Sequence, residues 1–407
     1  QCAYVCPHAT IRPFALTEEE AAAAPASAKI VDIKAGKGKG VYKYTMAVSP
    51  LDCMGCGVCV GVCPTKSLTM VPQEQEAAQQ DTFDYCVAKV SEKADMISVN
   101  SVKDSQFKKP LLEFSGSCAG CAETSYARLI TQVCGDRMYI SNATGCSSIW
   151  GGPAATSPYT VDKDGHGPAW ANSLFEDNAE HGLGMYYGQL AIRERLISKL
   201  EEMAGAEGAS DDMKNAINTF MDTKDNGAAN AEPTKALIAE LEKGAAAGCD
   251  KCKEILQHKE YLAKKSVWIF GGDGWAYDIG FGGLDHVLAS GQDVNVMVFD
   301  TEVYSNTGGQ ASKATNIGAV AQFAASGKTT KKKSLAEIAM SYGYVYVAQI
   351  AMGANMNQTL KAIAEAEAYP GPSLIIGYAP CEMHSIKGGM TNCQAEMKKA
   401  VDCGYWN

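Results

Sequence analysis

The stretch from Ser266 to Asn306 predicts two buried strands on either side of a helix. Residues 266–270 read SVWIF and residues 294–299 read VNVMVF, and both runs are apolar and rich in β-branched or aromatic side chains. Between them, Ala276 to Ser290 carries apolar residues at helical spacing. Two strands joined by a helix lie parallel in one sheet, and such sheets are covered by helices. The sequence therefore predicts an α/β fold with a doubly wound parallel sheet.

A glycine-rich turn and a pair of polar residues follow these two strands. The turn reads GGDGW at residues 271–275, and the second strand ends at Asp300 and Thr301. Ligands of such sheets bind beyond the carboxyl ends of the strands, so we expect Asp273 and Thr301 to reach one place. Their hard oxygen atoms suit Mg²⁺ with bound phosphates, and the glycines and the following helix N-terminus suit the phosphates. An isolated GDG is often an ordinary turn, but its spaced partner TEVYSN at 301–306 favours a binding site.

A second pattern, CMGCGVCVGVCP at residues 53–64, has the cysteine spacing of bacterial ferredoxins. In that pattern three cysteines bind one [4Fe-4S] cluster and the fourth binds a sister cluster. Cys2-x3-Cys6-Pro7 matches the second half of the same motif, and we expect the first half to precede Gln1, so that residue 1 is not the biological start. Zinc is the alternative, but it favours two separated C-x2-C pairs. The pattern assigns one cluster to Cys6, Cys53, Cys56 and Cys59, and the other to Cys2, Cys63 and two upstream cysteines.

A third group of cysteines is spread over the rest of the chain. Cys118 and Cys121 lie in GSCAGCAET, Cys146 lies in NATGCSS, and Cys381 lies in APCEMHS. Spacing alone leaves the first two open between a metal site and a redox pair.

Several segments together resemble one enzyme family. These segments are GSCAGCAET, NATGCSS, WANSLFEDNAEHG, GDGWAYDIGFGGLDH, TEVYSNTGGQ and APCEMHSIKGG. They resemble the carboxyl-terminal part of the pyruvate:ferredoxin (flavodoxin) oxidoreductases, in the 2-oxoacid:acceptor oxidoreductase superfamily, and the resemblance covers nearly all of residues 1–407. It implies thiamine diphosphate with Mg²⁺ at the GDG motif. It also implies a third [4Fe-4S] cluster on Cys118, Cys121, Cys146 and Cys381.

The same resemblance implies roles for individual residues. Mg²⁺ would bind Asp273, Thr301 and the backbone oxygen of Val303, and Asn306 would be the catalytic residue that contacts substrate. The remaining residues that line the implied thiamine site are Glu123, Cys146, Gly272, Gly274 and Trp275. In the family, the glutamate that activates thiamine and the groups that bind the substrate carboxylate belong to an amino-terminal domain. We therefore expect residues 1–407 alone not to oxidise a 2-oxoacid.

The resemblance also implies the reaction and its partners. Pyruvate would be decarboxylated oxidatively with coenzyme A to acetyl-CoA and CO₂, and three clusters would pass single electrons to ferredoxin or flavodoxin. The missing amino-terminal domains and a second copy in a homodimer would complete the enzyme. Alternatives are a relative acting on another 2-oxoacid and a pyruvate:NADP oxidoreductase. A dicluster ferredoxin fused to a binding domain would leave the spacing from GDG to TEVYSN unexplained.

Length and spacing predict the domain organisation. A chain of 407 residues exceeds one comfortable core. We expect a small α+β dicluster ferredoxin-like domain at 1–100 and a thiamine-binding domain at 101–407, with a helical excursion at about 200–265. Within that excursion, Cys249-x2-Cys252 is interpreted as an incidental surface pair.

The net charge and the number of cysteines restrict the partners that the chain can bind and the cellular compartment that suits it. The net charge of −10 argues against nucleic acid, and no apolar run is long enough to span a bilayer. Sixteen cysteines, mostly at metal spacing, indicate a reducing compartment, either the cytoplasm or an anaerobic organelle such as a hydrogenosome.

The segment SGKTTKKK at 326–333 lacks the first glycine of a phosphate loop, because Gln322 stands there, and is interpreted as a solvated charge run. His384 is interpreted as a hydrogen-bonded structural residue.

Overall fold

The structure, a computed structural model, describes residues 1–33, 36, 38–152, 156–206 and 210–407. Its strands are β1 (Ile11–Leu16), β2 (Val31–Asp32), β3 (Lys43–Val48), β4 (Met138–Asn142), β5 (Ala169–Asn172), β6 (Ser266–Gly272), β7 (Asn295–Asp300), β8 (Val303–Tyr304), β9 (Gln310–Ala311), β10 (Tyr346–Ile350) and β11 (Ser373–Tyr378). Its α-helices are α1 (Cys2–Val5), α2 (Glu18–Ala22), α3 (Val58–Gly61), α4 (Gln79–Lys89), α5 (Val102–Ser105), α6 (Ala122–Cys134), α7 (Cys146–Gly151), α8 (Asn178–Ala204), α9 (Asp211–Thr223), α10 (Ala231–Ala246), α11 (Asp250–Leu256), α12 (Phe281–Ala289), α13 (Leu335–Met340), α14 (Met356–Ala368) and α15 (Cys393–Asp402).

Six parallel strands form the central sheet, in the order β10-β11-β7-β6-β4-β5. The two strands predicted around the GDG motif are β6 and β7, which are neighbours and pair Ile269 with Val296. Helix α8 packs against β4, β6 and α12, whereas α14 packs against β10, β11 and α6. The predicted α/β class with a parallel sheet is confirmed.

The helix predicted after the GDG motif is divided into two parts. A π-helical segment covers Gly274–Ile279, and α12 begins only at Phe281. A Cβ atom on Gly280 would lie 2.2 Å from Cδ1 of Trp275, so the buried indole ring occupies the space beside this glycine. The wide π turn carries this large side chain into the core, which the apolar spacing of the sequence does not reveal.

The amino-terminal part shares the core of the central sheet. Strands β1, β3 and β2 form a small antiparallel sheet, and α2 begins with a capping box between Thr17 and Glu20. Helices α1 and α3 contribute Tyr4 and Val58 to the hydrophobic cluster around the central sheet. The hydroxyl of Tyr4 also donates a hydrogen bond of 2.8 Å to the backbone oxygen of Met356. The loops that carry the ferredoxin-type cysteines are thereby held against the larger sheet, and the division near residue 100 stays a prediction.

The helical excursion has a core of its own. It begins earlier than expected, in α8, and continues through α9, α10 and α11. Its buried side chains include Leu200, Phe220, Leu241 and Ile255. Cys252 belongs to this core and is buried, so the interpretation of a surface pair is wrong for this cysteine.

Among the described helices, none is long and apolar enough to cross a membrane.

Two glycines of α8 provide a test of how closely this helix approaches the sheet. A Cβ atom on Gly182 would lie 2.4 Å from Cγ1 of Ile269 in β6, whereas one on Gly184 would meet no atom within 4 Å. Both replacements by alanine gain helix propensity, but only Gly182→Ala must displace a buried side chain. We expect Gly182→Ala to be less stable than Gly184→Ala by about 1–3 kcal/mol. Denaturant unfolding of the two variants measures this difference, and equal stabilities would contradict the packing.

Candidate functional site

The carboxyl ends of β6 and β7 bring the predicted cation ligands together. Asp273 follows β6 and Thr301 follows β7. The Thr301 hydroxyl lies 2.9 Å from Oδ1 of Asp273 and 3.0 Å from the backbone oxygen of Val303. One carboxylate, one hydroxyl and one carbonyl therefore meet at a single point, a donor set that suits Mg²⁺. The assignment of these atoms as ligands stays a prediction.

The electrostatics around Asp273 favour a bound cation. Its side chain is buried, and burial followed by the nearby carboxylate of Asp300 raises its pKa well above the ordinary value. Hydrogen bonds from Ser312 and Thr301 act in the opposite direction. A buried carboxylate stays ionised only when positive charge compensates it. A divalent cation beside Asp273 would supply that charge, so the residues fit the metal.

All residues predicted to contact the cofactor line one cavity of about 220 Å³. The wall is formed by the loops after β4, β6 and β7 together with the start of α6. Gly274 has no room for a side chain, because a Cβ atom there would lie 2.4 Å from Cε1 of Tyr304. Asn306 is exposed. The predicted residues in the wall are Glu123, Cys146, Gly272, Asp273, Gly274, Trp275, Thr301, Val303 and Asn306.

Glu123 is a buried carboxyl group in the wall of this cavity. It lies in the first turn of α6, and the indole N–H of Trp150 donates a hydrogen bond of 2.8 Å to its Oε2. Burial raises the pKa of Glu123 from 4.5 to about 7, although the Trp150 hydrogen bond acts in the opposite direction. The group can therefore hold or release a proton near neutral pH. No motif in the sequence singles out Trp150 as its partner.

The third group of cysteines gathers beside the cavity. Cys118 and Cys121 precede α6, Cys146 begins α7, and Cys381 follows β11. Burial, then Glu123, and then the other three cysteines raise the pKa of Cys146. The pKa of Cys381 is raised to about 11, chiefly by burial. Since thiolates bind metal, Cys146 and Cys381, whose pKa values are raised by burial, would need a metal to become ionised. The electrostatic interaction of Cys146 with the other three cysteines fits a [4Fe-4S] cluster on all four.

His384 and Ser305 link this cysteine group to the predicted cation site. Nδ1 of His384 accepts a hydrogen bond of 3.2 Å from the backbone N–H of Cys381. Its Nε2 therefore carries the proton and lies 2.6 Å from the backbone oxygen of Thr301. The Ser305 hydroxyl hydrogen-bonds the Cys381 thiol and lies 2.7 Å from Oγ1 of Thr301. His384 is thus a hydrogen-bonded structural residue, as interpreted, and it spans two functional loops.

The amino-terminal cysteines form a second group. Burial and, after it, interactions with Cys6, Cys56 and Cys53 together raise the pKa of Cys59 to about 12. The four cysteines assigned to one cluster are therefore close together. Cys63 is differently placed, because hydrogen bonds with Thr65 and Ser67 lower its pKa to about 7. Cys2 interacts with Cys59. The assignment of Cys2 and Cys63 to a further cluster stays a prediction.

A short turn at Met390–Asn392 lies between the two cysteine groups. The Thr391 hydroxyl donates a hydrogen bond of 2.7 Å to the backbone oxygen of Cys56. On the other side, a Cβ atom on Gly120 would lie 2.8 Å from Cβ of Met390. Gly120 has φ of +83°, so a glycine between Cys118 and Cys121 serves both the turn and the close approach. The structure thereby brings the two groups onto opposite sides of one turn.

The lysine-rich segment is not a solvated charge run. Nζ of Lys332 lies 2.8 Å from Oδ2 of Asp300 and 3.1 Å from Oε1 of Glu302, both of which are buried. Nζ of Lys328 donates hydrogen bonds to the backbone oxygens of Ser312 and Thr315. The interpretation made from the sequence is wrong here, because the acidic partners lie some thirty residues away and nothing in the lysine run indicates them.

Comparison with known families defines the class of the protein. Residues 244–376 match the family described as thiamine pyrophosphate enzyme, C-terminal TPP binding domain, and residues 1–67 match the family described as 4Fe-4S dicluster domain. Together with the parallel sheet, these matches define an α/β thiamine diphosphate-binding domain preceded by a dicluster ferredoxin-like segment.

Several known proteins are similar to the chain over its whole length. Over its whole length the chain is 54% identical to a pyruvate-flavodoxin oxidoreductase of Klebsiella pneumoniae and 53% identical to a pyruvate:ferredoxin oxidoreductase of Moorella thermoacetica. It spans 34% and 35% of these proteins, about a third of their length. A mitochondrial pyruvate dehydrogenase (NADP⁺) of Euglena gracilis is 48% identical, and the chain spans 22% of it. The chain is a sequence relative of the pyruvate:ferredoxin (flavodoxin) oxidoreductases, and the resemblance predicted from its motifs is confirmed.

Glu123 predicts a measurable pH dependence of stability. Its pKa is raised from 4.5 to about 7 on folding, so the folded protein holds this proton where the unfolded chain has lost it. Stability from this group is complete below pH 4.5 and is lost as the pH rises towards about 7. The neutral variant Glu123→Gln lacks this loss. We expect the thermal midpoint of the cofactor-free protein, measured relative to that variant, to fall between these pH values, and a constant difference would contradict the raised pKa.

Proposed function

We propose that this chain is the thiamine-binding and electron-transferring part of a pyruvate:ferredoxin or pyruvate:flavodoxin oxidoreductase. The enzyme would decarboxylate pyruvate oxidatively, pass the acetyl group to coenzyme A and release single electrons through three [4Fe-4S] clusters. The remaining domains, which the relatives' greater length suggests, would supply the groups that bind the substrate carboxylate. Residues 1–407 alone are expected to be inactive.

One observation carries this proposal. The cavity with the carboxylate and hydroxyl oxygens of Asp273 and Thr301 also has Cys146, a member of the third cysteine group, in its wall. Bound thiamine diphosphate would supply a nucleophilic carbon and an electron sink for decarboxylation, and an adjacent iron-sulfur cluster would supply a one-electron exit. Few reactions require two such sites beside one cavity, a cation site that can bind a diphosphate and an iron-sulfur site.

The residues of this chain would bind and orient the reactants. Asp273, Thr301 and the backbone oxygen of Val303 would hold Mg²⁺ and, through it, the diphosphate. Glu123, whose pKa of about 7 allows either protonation state, would hold or move a proton at its Oε atoms. Asn306, in the exposed part of the wall, would contact the substrate.

The acceptor, the assembly and the compartment are parts of the same proposal. Ferredoxin or flavodoxin is supported by the names of the relatives at 54% and 53% identity. A reductase domain that uses NADP⁺ is the second candidate, supported by the 48% identity to the Euglena protein. We propose a homodimer in the cytoplasm or in a reducing anaerobic organelle, and the sixteen free cysteines support such a compartment.

Two substitutions in the full-length enzyme should separate the two prosthetic groups. Asp273→Asn removes a charged oxygen ligand, so we expect bound thiamine diphosphate to be lost while the iron content is retained. Cys118→Ser removes one thiolate, so we expect iron per chain to fall by about four while thiamine is retained. Thiamine released by denaturation and iron released by acid measure the two quantities, and pyruvate-dependent reduction of the clusters should fail in both variants.

Matched controls use the same substitutions elsewhere. Asp250→Asn changes an exposed carboxylate of α11, and Cys403→Ser changes an exposed cysteine. Both controls should keep full thiamine and iron. A wild-type enzyme without thiamine, or with iron for two clusters only, would refute the proposal and favour a dicluster ferredoxin fused to a binding domain.

A further inference from the structure

A cluster of charged and aromatic residues, buried in its centre and open to solvent at Tyr405, adjoins the predicted cation loop. We call it the Lys332 cluster. Its centre is the ammonium group of Lys332, which lies within 3.1 Å of a carboxylate oxygen of Asp300 and of Glu302. The rings of Tyr277 and Trp406 flank this ammonium group, with centroids 5.6 Å and 5.1 Å from Nζ. The members of the cluster are Tyr277, Asp300, Glu302, Asn316, Lys332, Tyr405 and Trp406.

Glu302 is the member that connects the cluster to the site. It stands between Thr301 and Val303, the two loop residues predicted to bind Mg²⁺, and its φ is +60°. A residue with a side chain rarely adopts this left-handed conformation, which persists only when the surroundings hold it. Because Thr301 and Val303 flank Glu302, its backbone conformation sets the directions of the Thr301 hydroxyl and the Val303 carbonyl.

Hydrogen bonds hold Glu302 in this conformation from all sides. Its N–H donates to Oδ1 of Asp300 at 3.1 Å, and its backbone oxygen accepts from the hydroxyl of Thr315. Oε2 accepts a hydrogen bond of 2.7 Å from the hydroxyl of Tyr405, while Oε1 accepts one of 3.0 Å from Asn316. The left-handed backbone is therefore fixed mainly through partners that lie far away in the sequence.

The charges explain why a lysine is needed at the centre. Asp300 and Glu302 are buried, and Asp300 acts electrostatically on Asp273. Without a cation between them, the two carboxylates would repel each other and would separate. Lys332 is largely buried, with 19% of its side chain exposed, and its only carboxylate contacts among the described ion pairs are these two. It therefore joins the end of β7 to the residue that sets the loop conformation.

We propose that Lys332 and Tyr405 are positioning residues that hold Glu302 in its left-handed conformation and thereby direct Thr301 and Val303 towards Mg²⁺. Neither residue lines the cavity that contains Asp273 and Thr301. The inference rests on the proposed function, because it requires the Mg²⁺ site of the thiamine cavity. It means that the segment at 326–333 and the last residues of this sequence also influence how tightly Mg²⁺ binds.

The test measures Mg²⁺ binding rather than turnover. The full-length enzyme is freed of Mg²⁺ and thiamine diphosphate, and binding of thiamine diphosphate is followed by tryptophan fluorescence as the Mg²⁺ concentration is raised. We expect Lys332→Met to lower the apparent Mg²⁺ affinity by about 100-fold and Tyr405→Phe by about tenfold, the range found when partners of metal ligands are removed. Lys332→Arg keeps the positive charge and should recover part of the affinity. Saturating Mg²⁺ should restore thiamine binding in each variant.

Matched controls separate this role from a general loss of stability. Lys331→Met changes the exposed neighbouring lysine, and Tyr344→Phe removes a tyrosine hydroxyl that donates to the backbone oxygen of Ala289 instead. Both should bind Mg²⁺ like the wild type. Iron content and the thermal midpoint should be unchanged in Tyr405→Phe, so that this variant decides the question even when Lys332→Met does not fold.

The outcomes distinguish the two proposals. Wild-type Mg²⁺ affinity in Tyr405→Phe, or in a folded Lys332→Met, would overturn the positioning role and leave the proposed function intact. A wild-type enzyme that binds thiamine diphosphate equally well without Mg²⁺, or does not bind it, would refute the proposed function itself. Weaker Mg²⁺ binding in Tyr405→Phe with unchanged iron content supports the positioning role.

Discussion

The parallel alignment of four strands is the constraint on which the site depends. Strands β4, β6, β7 and β11 all run in one direction, so their carboxyl ends meet at one edge of the sheet. The residues that follow them supply Cys146, Asp273, Thr301 and Cys381. Oxygen atoms that suit a hard cation and thiols that suit iron therefore become neighbours although more than two hundred residues separate the first from the last. Reversing any one of these strands would carry the residue that follows it to the opposite edge of the sheet.

Local patterns predict the parts of this arrangement that neighbouring residues determine. The strands β6 and β7 and the meeting of Asp273 with Thr301 follow from runs and motifs with known spacing. The grouping of Cys146 with Cys118, Cys121 and Cys381 follows from the family resemblance alone. The π-helical turn is not visible in such patterns, because no local motif marks the place where the Trp275 indole enters the core beside Gly280. The sequence also does not reveal the partners of Lys332 and Trp150, because those partners lie far away along the chain and no motif marks them.

The site also contains several buried carboxylates. Asp273, Asp300 and Glu302 are all buried within a few residues of two strand ends, and Lys332 contacts only the last two of them among the described ion pairs. Asp273 forms no ion pair among the described residues; the charge of Lys332 lowers its pKa, but burial and the carboxylate of Asp300 outweigh this effect and hold the pKa well above the ordinary value. A bound cation would compensate this carboxylate, whereas Asp300 and Glu302 already share the ammonium group of Lys332.

The imidazole of His384 joins the backbone of Cys381 to that of Thr301. An aromatic ring has fixed dimensions, so the loop that carries sulfur and the loop that carries oxygen are kept apart by a rigid spacer. Thermal movement of one loop would be transmitted to the other, and their separation would change little. An electron donor and its acceptor mounted on these loops would thus keep a constant gap, set by a single side chain rather than by the docking of separate domains.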